Sequence, residues 1–147
     1  MIILDTNVLS ALMQRQLDAV VVGWLDAQAT EGIWISSITL FEARYGLELL
    51  ADGERKTRLK QRFDELLTID LGNRVVVFDV HAAHQAAQLA AARKARGRPV
   101  DIRDTLIAGI VAAQGATLAT RNTRHFDDLP TPVVDPWKDH PDLRPAH

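Results

Sequence analysis

The feature that most limits how this chain can fold is its N-terminal run Met1-Ile2-Ile3-Leu4, apolar without alternation and ended by Asp5. Such a run reads as a short strand buried on both faces, the environment of a parallel sheet covered by helices on each side. Asp5 then falls at the strand's C-terminal edge, where open α/β sheets bind their ligands. Two readings follow. Asp5 caps the helix that begins at Thr6, or it carries chemistry. From Asp5 alone the cap is the simpler reading, so the rest of the chain must decide.

Strands and helices alternate along the remainder. A short helix is expected over Thr6 to Met13 and an amphipathic one over Leu17 to Ala29, before Gly32 breaks the pattern. Ile33-Trp34-Ile35 reads as a second buried strand. Ser36 or Ser37 can N-cap a helix whose apolar positions Ile38, Phe41, Tyr45 and Leu49 follow helical spacing. Beyond Gly53 a charged helix runs from Glu54 to Ile69, and the two should form an αα-hairpin. Val75 to Phe78 reads as a third strand and Val80 to Ala95 as an alanine-rich helix suited to close packing, ended by Gly97 and Pro99. A helix from Ile102 to Gln114, stopped by Gly115, leads into a fourth strand at Ala116 to Thr120, and Val133-Val134 is a brief last strand. This alternation gives an α/β fold with a mainly parallel central sheet of four to five strands flanked by helices. Residues 1–135 read as a single domain and 136–147 as a C-terminal tail, because five of the six prolines lie from Pro130 onward.

With 147 residues, 47% hydrophobic and 24% charged, the chain can bury a core without staples. The absence of cysteine removes disulfides, thiolate nucleophiles and cysteine-rich zinc sites, and fits a reducing cytoplasm. The four-residue apolar start is no signal peptide, and no stretch approaches the roughly 20 residues of a membrane span. A soluble cytoplasmic protein is therefore expected. The net charge of −2 argues against a passive nucleic-acid coat, although Arg93, Lys94, Arg96 and Arg98, then Arg55 to Arg62, and Arg121 with Arg124 form local basic strips. Such strips fit a polyanion held beside an acidic site, and the second of them, Arg55 to Arg62, equally fits a solvated helix face.

Two further acids share the location of Asp5 near strand C-termini. Glu42 lies early in the helix after strand two, between Phe41 and Tyr45, where an unpaired carboxylate near a buried face is costly. It is either ion-paired with an arginine such as Arg44 or a metal ligand. Asp101 has the N-cap position of the next helix, which leaves Asp104 inside the first turn and facing the sheet edge. If Asp5, Glu42 and Asp104 converge, their repulsion calls for a cation. Hard oxygen donors select Mg²⁺ or Mn²⁺, and the chemistry implied is phosphodiester hydrolysis by activated water.

Four segments carry a resemblance: Asp5-Thr6-Asn7-Val8-Leu9-Ser10, Ser37-Ile38-Thr39-Leu40-Phe41-Glu42, Asp104-Thr105-Leu106-Ile107-Ala108, and Leu118-Ala119-Thr120-Arg121-Asn122-Thr123. In this order and spacing the chain resembles the PIN-domain ribonucleases, especially VapC and FitB-like toxins, over nearly its whole length. The resemblance implies a PIN fold and an Mg²⁺- or Mn²⁺-dependent endoribonuclease acting as the toxin of a toxin–antitoxin pair. It further implies an RNA substrate, a homodimer, a cognate antitoxin of the VapB/FitA type, and operator DNA reached only through that antitoxin. Asp5, Glu42 and Asp104 match the family's metal-binding core acids, and Asn7 a polar residue that helps arrange the site. Asn122 stands where a fourth acid is common; it can orient water or offer a carbonyl oxygen, and Asp127 could substitute for it. Thr6, Arg121 and Arg124 are expected to shape the site or touch substrate. His125 stands where relatives often carry an acid and is read as surface.

A haloacid-dehalogenase-type phosphotransferase also ends its first strand on aspartate, but needs a second acid two residues on, where this chain has Asn7. A PIN nuclease without antitoxin is compatible with the same residues, as is a catalytically idle PIN protein acting through a DNA-bound antitoxin complex. His81 and His84 read as an exposed helix face, Trp24 and Trp34 as core, and Trp137 as a packing anchor. The charged hairpin from Ile38 to Ile69 is the expected antitoxin surface.

Overall fold

A computed structural model describes residues 1–98 and 100–139. Five short strands, β1 (Ile2–Leu4), β2 (Ile33–Ser36), β3 (Val75–Val76), β4 (Thr117–Ala119) and β5 (Val133–Val134), form one sheet in the order β3-β2-β1-β4-β5. Every pairing is parallel, with Leu4 opposite Ile35 on one side and Ala119 on the other. Parallel neighbours need crossovers, which the helices supply. They are α1 (Thr6–Leu12), α2 (Ala19–Asp26), α3 (Ser37–Glu48), α4 (Glu54–Glu65), α5 (Val80–Ala95) and α6 (Ile102–Gln114).

The non-alternating strands behave as their composition requires. Ile3 and Leu4 are both fully buried yet enter different cores, as successive strand residues must. Leu4, Val8, Trp24, Ile35 and Phe63 pack on the face covered by α1 to α4. Ile3, Ala82, Ile107, Val111 and Leu118 pack on the face covered by α5 and α6. The alanines of α5 do permit a close approach: a Cβ added at Gly109 of α6 would lie 2.6 Å from the carbonyl oxygen of Ala82 and 2.7 Å from Cβ of Ala86. Gly115 then ends α6 at φ 61°, a left-handed conformation that glycine adopts without penalty.

Several local expectations change. The charged helix stops at Glu65 and continues as a π-turn over Leu66–Asp70. The buried side of α3 carries Thr39 and Leu47, whereas Phe41, Tyr45 and Leu49 are exposed and Phe41 stacks on Tyr45. Helical spacing defined that stripe correctly but could not say which of two apolar stripes meets the core. Arg93 is buried, and Arg96 and Arg98 are paired with Asp128 and Asp127, so the basic strip after α5 is largely neutralised. Trp24 is core, Trp34 packs partly buried, and Trp137 anchors against the first core while its indole donates to Asp18 at 3.0 Å. The end of the expected tail, from residue 140, lies outside the described residues. No helix among those described is long and apolar enough to cross a membrane.

Candidate active site

The strand order turns at β1: the chain proceeds through β2 and β3 on one side, then returns to place β4 on the other. The crevice at the C-terminal ends of β1 and β4 is therefore a topological switch point. Asp5 and Thr120, the residues that follow these two strands, meet there. Thr120 Oγ1 donates to Asp5 Oδ2 at 2.7 Å, and Asn7 Nδ2 contacts the same oxygen at 3.3 Å. The other oxygen, Oδ1, accepts the backbone N–H of Thr6 at 2.8 Å, so Asp5 caps α1 and faces the crevice at once. The two readings of this residue are compatible, because a carboxylate has two oxygens to divide between them.

Glu42 and Asp104 flank Asp5. Thr6 Oγ1 donates to Glu42 Oε1 at 2.9 Å and lies 3.1 Å from Thr39 Oγ1, which ties the first turn of α1 to α3. Asp101 caps α6 through the N–H of Arg103 at 2.8 Å, as its position predicts, and Asp104 lies in the helix's first turn. Burial pushes the Asp5 carboxyl above its ordinary range, and the nearby charges of Asp104 and Glu42 push the same way, against the hydrogen bonds from Thr120 and Thr6. Such a carboxylate gains from a neighbouring cation.

The donor set of Asp5, Glu42 and Asp104 suits a hard divalent ion by chemistry. Among the described residues, no three His, Asp or Glu side chains already stand close enough together to hold one. Glu42 is instead 3.5 Å from the guanidinium of Arg103, and Asp104 Oδ2 is 2.9 Å from Nδ1 of His125. Asn7 Oδ1 accepts the N–H of Arg121 at 3.1 Å, pinning the segment after β4 across the crevice. Asn122 contributes its backbone N–H to Thr120 Oγ1 at 3.0 Å, and its side chain is exposed. Asp127 is engaged by Arg98 at 3.1 Å. Arg121 stacks its guanidinium 4.5 Å from the ring of Trp137, and Arg124 is exposed in the turn Thr123–Phe126. His81 and His84 are exposed on α5.

Sequence reasoning gave no role to Thr120, Thr39 or Arg103, and it read His125 as surface, which its exposure bears out, without its contact to Asp104. Thr120 was accessible in principle: once the fourth strand lies parallel to the first, the residue after each falls beside the other. The remaining three depend on how α3, α6 and the turn after β4 lean together.

Comparison with known proteins agrees with this geometry. The PIN domain model matches residues 2–131. The chain is 36% identical to the VapC ribonuclease Y4jK of Sinorhizobium fredii, over 94% of this chain and 99% of that protein. It is 34% identical to the toxin FitB of Neisseria gonorrhoeae, over 95% of this chain and 100% of that protein. The solved structure of FitAB bound to an IR36 DNA fragment superposes with a TM-score of 0.86 at 33% identity, covering 100% of both chains. A parallel sheet in this order, an aspartate at its switch point and a family match across nearly the whole sequence lead to one conclusion: the chain belongs to the PIN domain family.

Proposed function

We propose that this protein is an Mg²⁺- or Mn²⁺-dependent endoribonuclease that acts as the toxin of a toxin–antitoxin pair. The observation that carries the reading is the buried Asp5 carboxylate at the sheet's switch point, loaded with the repulsion of Glu42 and Asp104. Similarity to a VapC ribonuclease and to the toxin FitB supports the activity and the biological role.

Asp5, Asp104 and Glu42 would hold the cation. When bound, it supplies a lowered pKa to water and offsets charge on the phosphoryl oxygens. The chain's own groups prepare that event. Thr120, Asn7 and the amide of Thr6 fix both oxygens of Asp5, so this ligand is oriented in advance and the adjustment on binding falls to Glu42 and Asp104. Arg103 occupies Glu42 without burying it, a partner that can be exchanged. Arg121 and Arg124, both exposed in the segment after β4, carry guanidinium groups of the kind that bind an RNA backbone. Asn122 is placed next to Thr120, where its amide can orient water or phosphate.

The partners proposed are an RNA substrate, a cognate antitoxin of the VapB/FitA type, a second copy of the chain, and operator DNA reached through the antitoxin. The Phe41–Tyr45–Leu49 stripe, apolar and exposed, is surface of the kind that association covers.

Purified protein should cleave RNA with Mg²⁺ or Mn²⁺ and stop in EDTA, and its induced expression should arrest bacterial growth. Undiminished cleavage in EDTA would defeat the metal mechanism. Growth arrest that persists with Asp104→Asn would point to a cause other than cleavage at this site. A short reading frame immediately upstream, encoding a DNA-binding N-terminus, is the expected antitoxin.

A further inference from the structure

His125 is half exposed in the turn that follows β4, yet its ring is not free to wander. Its Nδ1 lies 2.9 Å from Oδ2 of Asp104, and since the carboxylate accepts, Nδ1 carries the proton. An isolated surface pair of this kind would be worth little. Here the two segments that bring it together are tied to one buried side chain. Arg93, 3% exposed, donates from one guanidinium nitrogen to Thr105 Oγ1 at 2.8 Å and from another to the carbonyl oxygen of His125 at 2.9 Å. Thr105 is the neighbour of Asp104, so the same planar group sets both halves of the contact. Asp128 holds that guanidinium through both its oxygens at 2.8 Å, a bidentate geometry that leaves Arg93 little freedom.

We propose that His125 is a positioning residue for Asp104. Its Nδ1–H holds Oδ2, restricting the carboxylate to one orientation and leaving its other oxygen for the cation. Partners that orient a ligating group in this way control metal affinity without touching the metal. This inference rests on the reading of Asp104 as a ligand. Arg93 and Asp128 act one step further out, as the frame that carries the histidine.

The test is Mn²⁺ affinity of the full-length protein without RNA, measured by titration calorimetry for wild type, His125→Ala and His125→Asn. The asparagine places an amide N–H near the position of Nδ1–H. His125→Ala should bind Mn²⁺ about 10- to 100-fold more weakly, and His125→Asn should recover most of the loss, with superimposable thermal unfolding of the metal-free proteins. Unchanged affinity in His125→Ala, or a loss that His125→Asn does not restore, overturns the proposal. If the alanine variant does not fold, His125→Leu replaces it in the same comparison. Failure of the wild type to bind Mn²⁺ overturns the metal-centre reading as well, which separates the two failures.

Discussion

Asp5 is a buried carboxylate and Asp128 a partly buried one within this small domain, and the fold treats them in opposite ways. Asp5 receives hydroxyl and amide donors while Glu42 and Asp104 repel it, and its carboxyl is pushed above the ordinary range, chiefly by burial. Asp128 receives both arms of Arg93 together with Arg96, and the hydrogen bonds from Arg93 hold its carboxyl below that range. The first arrangement costs stability that a cation would restore; the second satisfies its charge internally and fixes a turn. Charge left unneutralised inside a fold marks a place where function has been favoured over stability.

The sharpest way to break this comparison is to remove charge from the first region. Asp5→Asn should lower RNA cleavage by at least about 100-fold, because several kcal/mol of charge stabilisation go with the ligand. The same variant should unfold at a higher temperature than wild type in metal-free buffer, since a buried repelled charge is gone. A steady-state cleavage assay beside a thermal melt checks both, and retained activity or a lower melting temperature would contradict the contrast.

Removing the compensating charge from the second region should act on stability. Arg93→Ala leaves a partly buried Asp128 without its main partner and should cost about 3–5 kcal/mol, read from denaturant unfolding. A loss under about 1 kcal/mol would mean that water replaces the guanidinium easily. Gly109→Ala probes the packing beside this region: its Cβ would press on the backbone of Ala82, which cannot yield as a flexible side chain would. About 1–3 kcal/mol of destabilisation is expected from such overpacking.

The smallest effect is in pH dependence, and its sign differs between the two residues. The folded pKa of Asp5 lies above the ordinary 3.8, so the folded state binds more protons there and metal-free stability rises as pH falls toward 3.8. The folded pKa of Asp128 lies below 3.8, so its contribution is fully present above that value and is lost as pH falls further. Unfolding free energies measured across acid pH should show Asp5→Asn removing the gain above 3.8 and Asp128→Asn flattening the loss below it. A reversal of either sign would refute the assignment.

Much of the site was legible in the sequence because it depends on strand ends. A non-alternating apolar run must be buried on both sides, and the acid that follows it must emerge at the sheet's edge; Asp5 needs nothing more. Asp104 could be placed because Asp101 occupies the cap before it, and Ser36 caps α3 through the N–H of Thr39 at 3.0 Å in the same manner, fixing where Glu42 begins to turn. The face of α3 could not be read, since Phe41 with Tyr45 and Leu40 with Leu47 offer two apolar stripes and only the neighbouring α1 and α4 select between them. Arg93 was read as surface for a related reason: among arginines and lysines in a row, burial is decided by a partner thirty-five residues away in the sequence.

The sequence by itself determined the strand and helix alternation, the parallel class of the sheet and the acids at its edge, because periodicity, caps and apolar runs act over a few residues. The tertiary structure alone decided the strand order that makes β1 the switch point, the threonines that fix Asp5 and Glu42, and the Asp128–Arg93–His125–Asp104 chain. Those contacts join segments far apart along the chain, and their geometry exists only once the helices have packed on the sheet.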